Sequence, residues 1–190
     1  MKFMPALFLC LAFPCGLRAE EDGRRILAEV NFARTQPRAY AGIVARTANR
    51  SRAASEAIRF LERAEPRPPL KHSSALALAA QSHVESQGPR GAMGHSSRDG
   101  TGCFQRIARH GQWSGLVGEN IAYGGGGARD VVVRLIVDEG VFSRGHRANI
   151  FSRAFRVAGI AAGPHARYGA MCVMDFADGF VAKRRRTGFR

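Results

Sequence analysis

His95 and His146 are the residues from which chemistry can start. Each stands in a segment that reads as a loop, Gly94-His95-Ser96 and Gly145-His146-Arg147, and loops are where functional side chains are usually placed. Carboxylates are available at Glu119, Asp138 and Glu139. Neutral imidazole nitrogens and carboxylate oxygens are the common ligand set of zinc and similar divalent ions. Two histidines with one or two carboxylates would leave room for water, and affinity would fall below about pH 6 as the rings protonate. The same groups suit a hydrolase, with His146 paired to Glu119 as general base on water, or a metal activating that water. Ser96 is a poor nucleophile, because neighbouring side chains on an extended loop point apart. Spacing alone does not bring these groups together, since the two histidines are 51 positions apart. Taken singly, each reads as a surface or structural histidine, and Glu119 as a carboxylate that accepts N–H bonds at a turn. Asn120 reads as a residue that fixes loop backbone through its side chain.

The elements that must position these groups can be read from periodicity. Ile26, Leu27, Val30 and Ala33 share one face of a helix over 24–36, which Pro37 ends before a second segment over 38–46. Residues 53–64 form another helix, stopped by Pro66, Pro68 and Pro69. Ser73 or Ser74 caps a helix over 74–87, on whose apolar face His83 reads as a hydrogen-bonded core residue. A long Gly/Ser/Asp loop over 88–103 carries His95 and leads to a short helix over 103–110. Gly111 to Gly118 reads as a turn and Glu119 to Tyr123 as a short extended piece. Gly124 to Gly127 lacks the Lys-Ser/Thr ending of a phosphate loop and reads as a flexible turn. Asp130 caps a helix over 131–137, a run whose β-branched residues would also suit a strand. Two strands over 155–162 and 168–177, joined at Gly163-Pro164, close the domain; in the second, Cys172, Met174 and Phe176 alternate onto one face. Helices with a small antiparallel sheet make an α+β layered domain.

Lys2, an apolar run from Phe3 to Leu17 and the small residue Ala19 predict a signal peptide over 1–19 and a secreted protein, extracellular or periplasmic. Two cysteines then remain, Cys103 and Cys172. In an oxidising compartment they would form one disulfide; the alternative is two buried, reduced thiols. Net charge is +14, with arginine the dominant base, so weak affinity for polyanions such as lipid headgroups or cell-envelope polymers is expected. The arginines are scattered, which makes nucleic acid an unlikely specific partner. Residues 182–190, with Lys183-Arg184-Arg185-Arg186 and Arg190, read as a disordered basic tail that could tether the protein to an anionic surface.

An ordered set of blocks carries a resemblance: Asn31-x-x-Arg34, Leu70 to His83, Gly94-His95-Ser96, Gly118-Glu119-Asn120-Ile121-Ala122, Gly145-His146-Arg147-Ala148-Asn149-Ile150, Gly159-Ile160 and Met171 to Phe176. In this order the chain resembles the CAP superfamily of cysteine-rich secretory, antigen 5 and plant pathogenesis-related proteins, in its bacterial form. The resemblance implies an α-β-α sandwich over about 20–181 and a cleft lined by two histidines and two acidic residues. His95, Glu119 and His146 match three of these. The fourth lies on the helix before His146, where Asp138 and Glu139 compete and Glu139 is favoured. The implied ligand set is thus His95, Glu119, Glu139 and His146, holding a divalent metal such as zinc, with Asn120 and Asn149 in support. The resemblance also implies a lipid or sterol ligand, as in several relatives, and keeps a peptidase in view as the alternative.

Overall fold

The computed structural model describes residues 15–183, with side chains from Glu20 onward. Most of the expected signal peptide, residues 1–14, and the tail from 184 lie outside the described residues. The first helix, α1 (Cys15–Thr35), already runs through Ala19, the expected cleavage point. It is followed by α2 (Pro37–Thr47), α3 (Arg52–Arg63), β1 (Lys71–His72), α4 (Ser74–Gln87), α5 (Cys103–His110), β2 (Gly111–Tyr123), α6 (Ala128–Val137), α7 (Gly145–Phe151), β3 (Val157–His165) and β4 (Gly169–Ala182). Among the described residues no helix is long and apolar enough to cross a membrane.

The strands form one sheet in the order β1-β3-β4-β2, with β1 parallel to β3 and the other pairs antiparallel. Period-two alternation along β4 sends Cys172, Met174 and Phe176 into a core shared with α1, α2, α3, α6 and α7. Met171, Val173 and Ala177 face α4 and α5 instead. Both faces of the sheet are therefore covered, which is the expected α-β-α sandwich. Contact between layers is close: a Cβ on Gly159 of β3 would collide with the backbone of Leu76 and Ala77 in α4.

The Asn31-x-x-Arg34 block explains how α1 is tied to the rest. Asn31 clamps the backbone of Leu70 at both its N–H (2.7 Å) and its carbonyl (3.0 Å). Arg34, 1 % exposed, donates to the carbonyls of Pro68, Ile150 and Ser152. Such bonds from a buried cation contribute about 1.5–3 kcal/mol each. They set the start of α4 and the end of α7 relative to α1.

Several local expectations change. Gly111 to Gly118 is strand, made irregular between Ser114 and Val117, because pairing with β4 overrides its glycines. The helix expected after Asp130 starts earlier: Gly127 is its cap, and the Asp130 carboxylate accepts the Gly127 N–H at 2.9 Å from the third helical position. Gly145-His146-Arg147 opens α7 and is not loop. Gly163 and Pro164 lie within β3; the reversal falls at 166–168, before Gly169 at φ 79°.

The disulfide expectation is overturned. Both thiols are free. Cys172 belongs to the α1/α6 side of the sheet, whereas Cys103 packs on the α4/α5 side with Ile107 and Ala177. The sheet separates them, and burial keeps both thiols protonated, with Cys172 pushed up to about 12.

Candidate functional site

Two imidazole–carboxylate pairs open onto one cleft of about 440 Å³, lined by His95, His146, Met93, Ile121, Tyr123 and Leu135 among others. The first pair joins the loop after α4 to β2. His95 Nδ1 lies 2.8 Å from Glu119 Oε1, so the ring donates from Nδ1. The second is local: His146 Nδ1 lies 2.6 Å from Asp138 Oδ1, and the His146 backbone N–H donates to Asp138 Oδ2 at 2.9 Å. In both rings Nε2 is thereby left as the nitrogen a ligand in the cleft would meet.

The loop carrying His95 is gripped at successive backbone atoms. His83 Nε2 meets the Gly94 carbonyl at 2.9 Å, and Gln87 donates to Gly94 and Ser96 carbonyls. Tyr123 accepts the Gly94 N–H at 2.9 Å, and Arg106 donates to the His95 carbonyl at 2.9 Å. His83 is fully buried and meets Ser97 as well, the structural role its apolar helix face suggested. Its burial, with Arg106 nearby, pushes it below the ordinary histidine range.

Glu119 is 2 % exposed at its side chain and bonded on both oxygens, to His95 and to the buried guanidinium of Arg106. Burial opposes its charge, but the His95 bond and Arg106 outweigh this and hold its carboxyl below the usual range. In return, the Glu119 bond raises His95. Directly across the ladder from Glu119 stands Asp175. It is fully buried, its Oδ1 lies 3.7 Å from Cys103 Sγ, and its Oδ2 has no protein partner. Burial first, and then the Glu119 charge, push Asp175 well above the ordinary carboxyl range. The two neighbours are thus pushed apart, Asp175 toward the neutral acid and Glu119 toward the carboxylate.

The second pair is shaped by two left-handed residues, Asp138 (φ 56°) and Arg144 (φ 52°). Arg144 holds the turn by donating to the Asp138 and Val141 carbonyls at 2.7 and 2.9 Å. Arg147 ties α7 to the end of α6 through the Ile136 carbonyl at 2.7 Å. Asn120 donates to the His146 carbonyl at 3.0 Å and accepts from Asn149 at 2.8 Å. The two asparagines thus bridge the strand bearing Glu119 to the helix bearing His146.

Two sequence expectations change here. Glu139, the favoured fourth residue, also lines the cleft, but its Oε2 takes the Ser51 hydroxyl at the cap of α3, and it is Asp138, left-handed at φ 56°, that meets His146. The pairing of His146 with Glu119 is replaced by His146 with Asp138 and His95 with Glu119. Sequence reading also missed Arg106 and Asp175. For Asp175 the signal was present, a charged residue between Met174 and Phe176 in an apolar strand, whereas Arg106 stands among Gln105, Arg109 and His110 on α5 and carries no such mark. Among the described residues, the three metal-capable donors that close to within 4.8 Å are Cys103, Glu119 and Asp175. Arg106 already occupies Glu119 there, and the Cys103 thiol is held protonated by burial.

The family model for the cysteine-rich secretory protein family, CAP, matches residues 27–176. Solved structures similar to the chain include an extracellular protein containing an SCP domain from Bacillus anthracis, at 21 % identity and a TM-score of 0.47, covering 58 % of this chain and 34 % of that one. An outer surface protein from Borrelia burgdorferi gives 20 % identity and a TM-score of 0.47, covering 61 % of this chain and 78 % of the other. A cysteine-rich secretory protein from Staphylococcus aureus gives 13 % identity and a TM-score of 0.49, covering 84 % and 40 %. The chain thus spans well under half the length of the Bacillus and Staphylococcus proteins. Among curated proteins, none matches the chain.

Proposed function

Starting from the chain's membership of the CAP, or cysteine-rich secretory protein, family, we propose that its cleft is a divalent-metal site whose protein ligands are the Nε2 atoms of His95 and His146. The observation that carries this reading is the pair of carboxylate-braced imidazoles on one cleft. A metal-binding histidine ordinarily donates its other ring N–H to a carboxylate, which fixes tautomer and orientation. Glu119 and Asp138 supply that bracing and do not serve as ligands, because their oxygens are already engaged. The donors are of the type that zinc takes, two imidazoles, with the remaining positions left to water or to a ligand. Such an ion would supply Lewis acidity. The chain's own groups hold the rings, and Met93, Ile121 and Leu135 offer an apolar wall to a lipid or other small ligand.

Calorimetry with zinc, calcium and magnesium on the purified protein tests this. Zinc should bind, and His95→Ala and His146→Ala should each abolish it. Equal binding in both variants would remove the site. A second reading, hydrolysis, is favoured by the same pairs, since a carboxylate behind an imidazole strengthens it as a general base. On any substrate that is turned over, Glu119→Gln should then lower the rate; an unchanged rate dismisses it. Export, expected from the N-terminal sequence, belongs with this reading and is checked by finding the protein outside the cytoplasm of its source cell.

A further inference from the structure

The turn that presents His146 carries two residues in the left-handed region, Asp138 at φ 56° and Arg144 at φ 52°. Neither is glycine, so the conformation costs energy that neighbouring contacts must offset. Those contacts converge on one carboxylate of α3, Glu56. Ala53, Ala57 and Leu61 bury one face of that helix, and Glu56 stands beside them, 41 % exposed at its side chain.

The Nε and Nη2 atoms of Arg144 both lie on Glu56 Oε2, at 3.1 and 2.9 Å. A guanidinium is planar, so a grip on two of its nitrogens directs the third. That third nitrogen, Nη1, donates to the Asp138 and Val141 carbonyls of the turn. The other Glu56 oxygen, Oε1, accepts from Arg147 Nη1 at 3.1 Å. The Arg147 side chain is buried, and its Nε and Nη2 donate to the Ile136 and Val137 carbonyls at the end of α6. Phe60, one helical turn beyond Glu56, meets the same guanidinium with its ring face, 5.4 Å from the centroid. The carbonyls of residues 136, 137, 138 and 141 are thus held by two cations that share one anion. Asp138 passes the constraint on, since its two oxygens take the ring and the backbone N–H of His146.

We propose that Glu56 is a positioning residue for the cleft, which sets the direction of His146 Nε2 through Arg144, Arg147 and Asp138. The proposal rests on the cleft reading above only for what His146 Nε2 meets; its first readout needs no metal.

That readout is the tautomer of His146, taken from the ring nitrogen shifts of metal-free protein at mildly alkaline pH. The wild type should hold the Nδ1–H form that the Asp138 bond requires. Glu56→Gln keeps one acceptor for two guanidiniums and should give a mixture of tautomers. Glu65→Gln, which removes surface pairs with Arg67 and Arg153, should leave the ring as it is. Both positions reach solvent, and circular dichroism confirms that the variants fold. The second readout is zinc affinity, which Glu56→Gln should lower by about threefold to tenfold, and by nothing further once Asp138→Asn is present. An unchanged His146 ring in Glu56→Gln overturns the proposal whether or not zinc binds. So does a loss that adds in full to that of Asp138→Asn, since Glu56 would then act on the fold at large. A tautomer change in a protein that takes no zinc removes the metal reading and leaves the positioning role standing.

Discussion

The two imidazole–carboxylate pairs look alike at the cleft and are built in opposite ways. His146 and Asp138 are eight residues apart, joined by one turn whose shape comes from two left-handed residues and the carbonyl bonds of Arg144. His95 and Glu119 come from a loop and a strand, and depend on Arg106, His83, Gln87 and Tyr123 to meet. The local pair is made by backbone conformation. The distant pair is made by a buried polar network, in which removing one member leaves others unsatisfied. The difference predicts that the His95 side fails by unfolding and the His146 side by misorientation.

The largest effect should come from Arg106. Arg106→Met leaves Glu119 and Asp175 together without their cation and should cost about 3–5 kcal/mol, read as a fall in Tm. On the local side, Arg144 is partly exposed and pairs with Glu56 across the surface. Its Met variant should lower Tm by less than Arg106→Met does, because solvent replaces part of what is lost. Equal losses from the two would erase the distinction.

Next comes ring orientation. Asp138→Asn keeps the turn but weakens the acceptor behind His146, so zinc affinity should fall about 10–100-fold with little change in Tm. Glu139→Gln should change affinity far less, because that carboxylate, though on the cleft wall, is bonded to Ser51 and braces neither ring. A loss confined to Glu139→Gln would restore the fourth position expected from the sequence.

What could be read from the sequence follows the same division. Helices α3, α4 and α5 were legible within a residue or so because apolar spacing, proline stops and a serine cap act locally. The His146 segment was misread as loop because Arg144 enters α7 from a left-handed conformation that no glycine announces. Asp138 lost to Glu139 for the same reason. His95, Glu119 and His146 were identified by resemblance, and no local pattern could have brought them together. Arg106 and Asp175 were missed because their meaning is long-range: Asp175 faces Glu119 through the β2/β4 register, and Arg106 reaches it from α5. The disulfide was wrong because cysteine counting takes no account of which face of a sheet each residue occupies.

Asp175 offers a smaller, sharper test. A carboxyl raised well above its unfolded value stabilises the fold only below that unfolded value, about pH 3.9, and loses the contribution as pH rises through the folded value. At neutral pH it is a burden. Asp175→Asn removes the titration, so it should stabilise the protein at neutral pH, read as a rise in Tm. A lower Tm at pH 7.5 would mean that the orphaned Oδ2 has a partner the protein needs.

The smallest effect sets two histidines of the one network against each other. His83 is depressed by burial, so its contribution is full above about pH 6.5 and drains as pH falls below that value. His95 is raised by Glu119, so its contribution is full below about pH 6.5 and is lost as pH rises through its folded value. The His95 side chain is 58 % exposed, so solvent screening makes its effect the weaker of the two. Melting curves between pH 5 and 8, with chelator present, should therefore show His83→Gln flattening the acid limb and His95→Gln flattening the alkaline limb. Both variants acting on the same limb would mean that His95 does not meet Glu119 in solution, and the distant pair would lose the bond on which its difference from the local one rests.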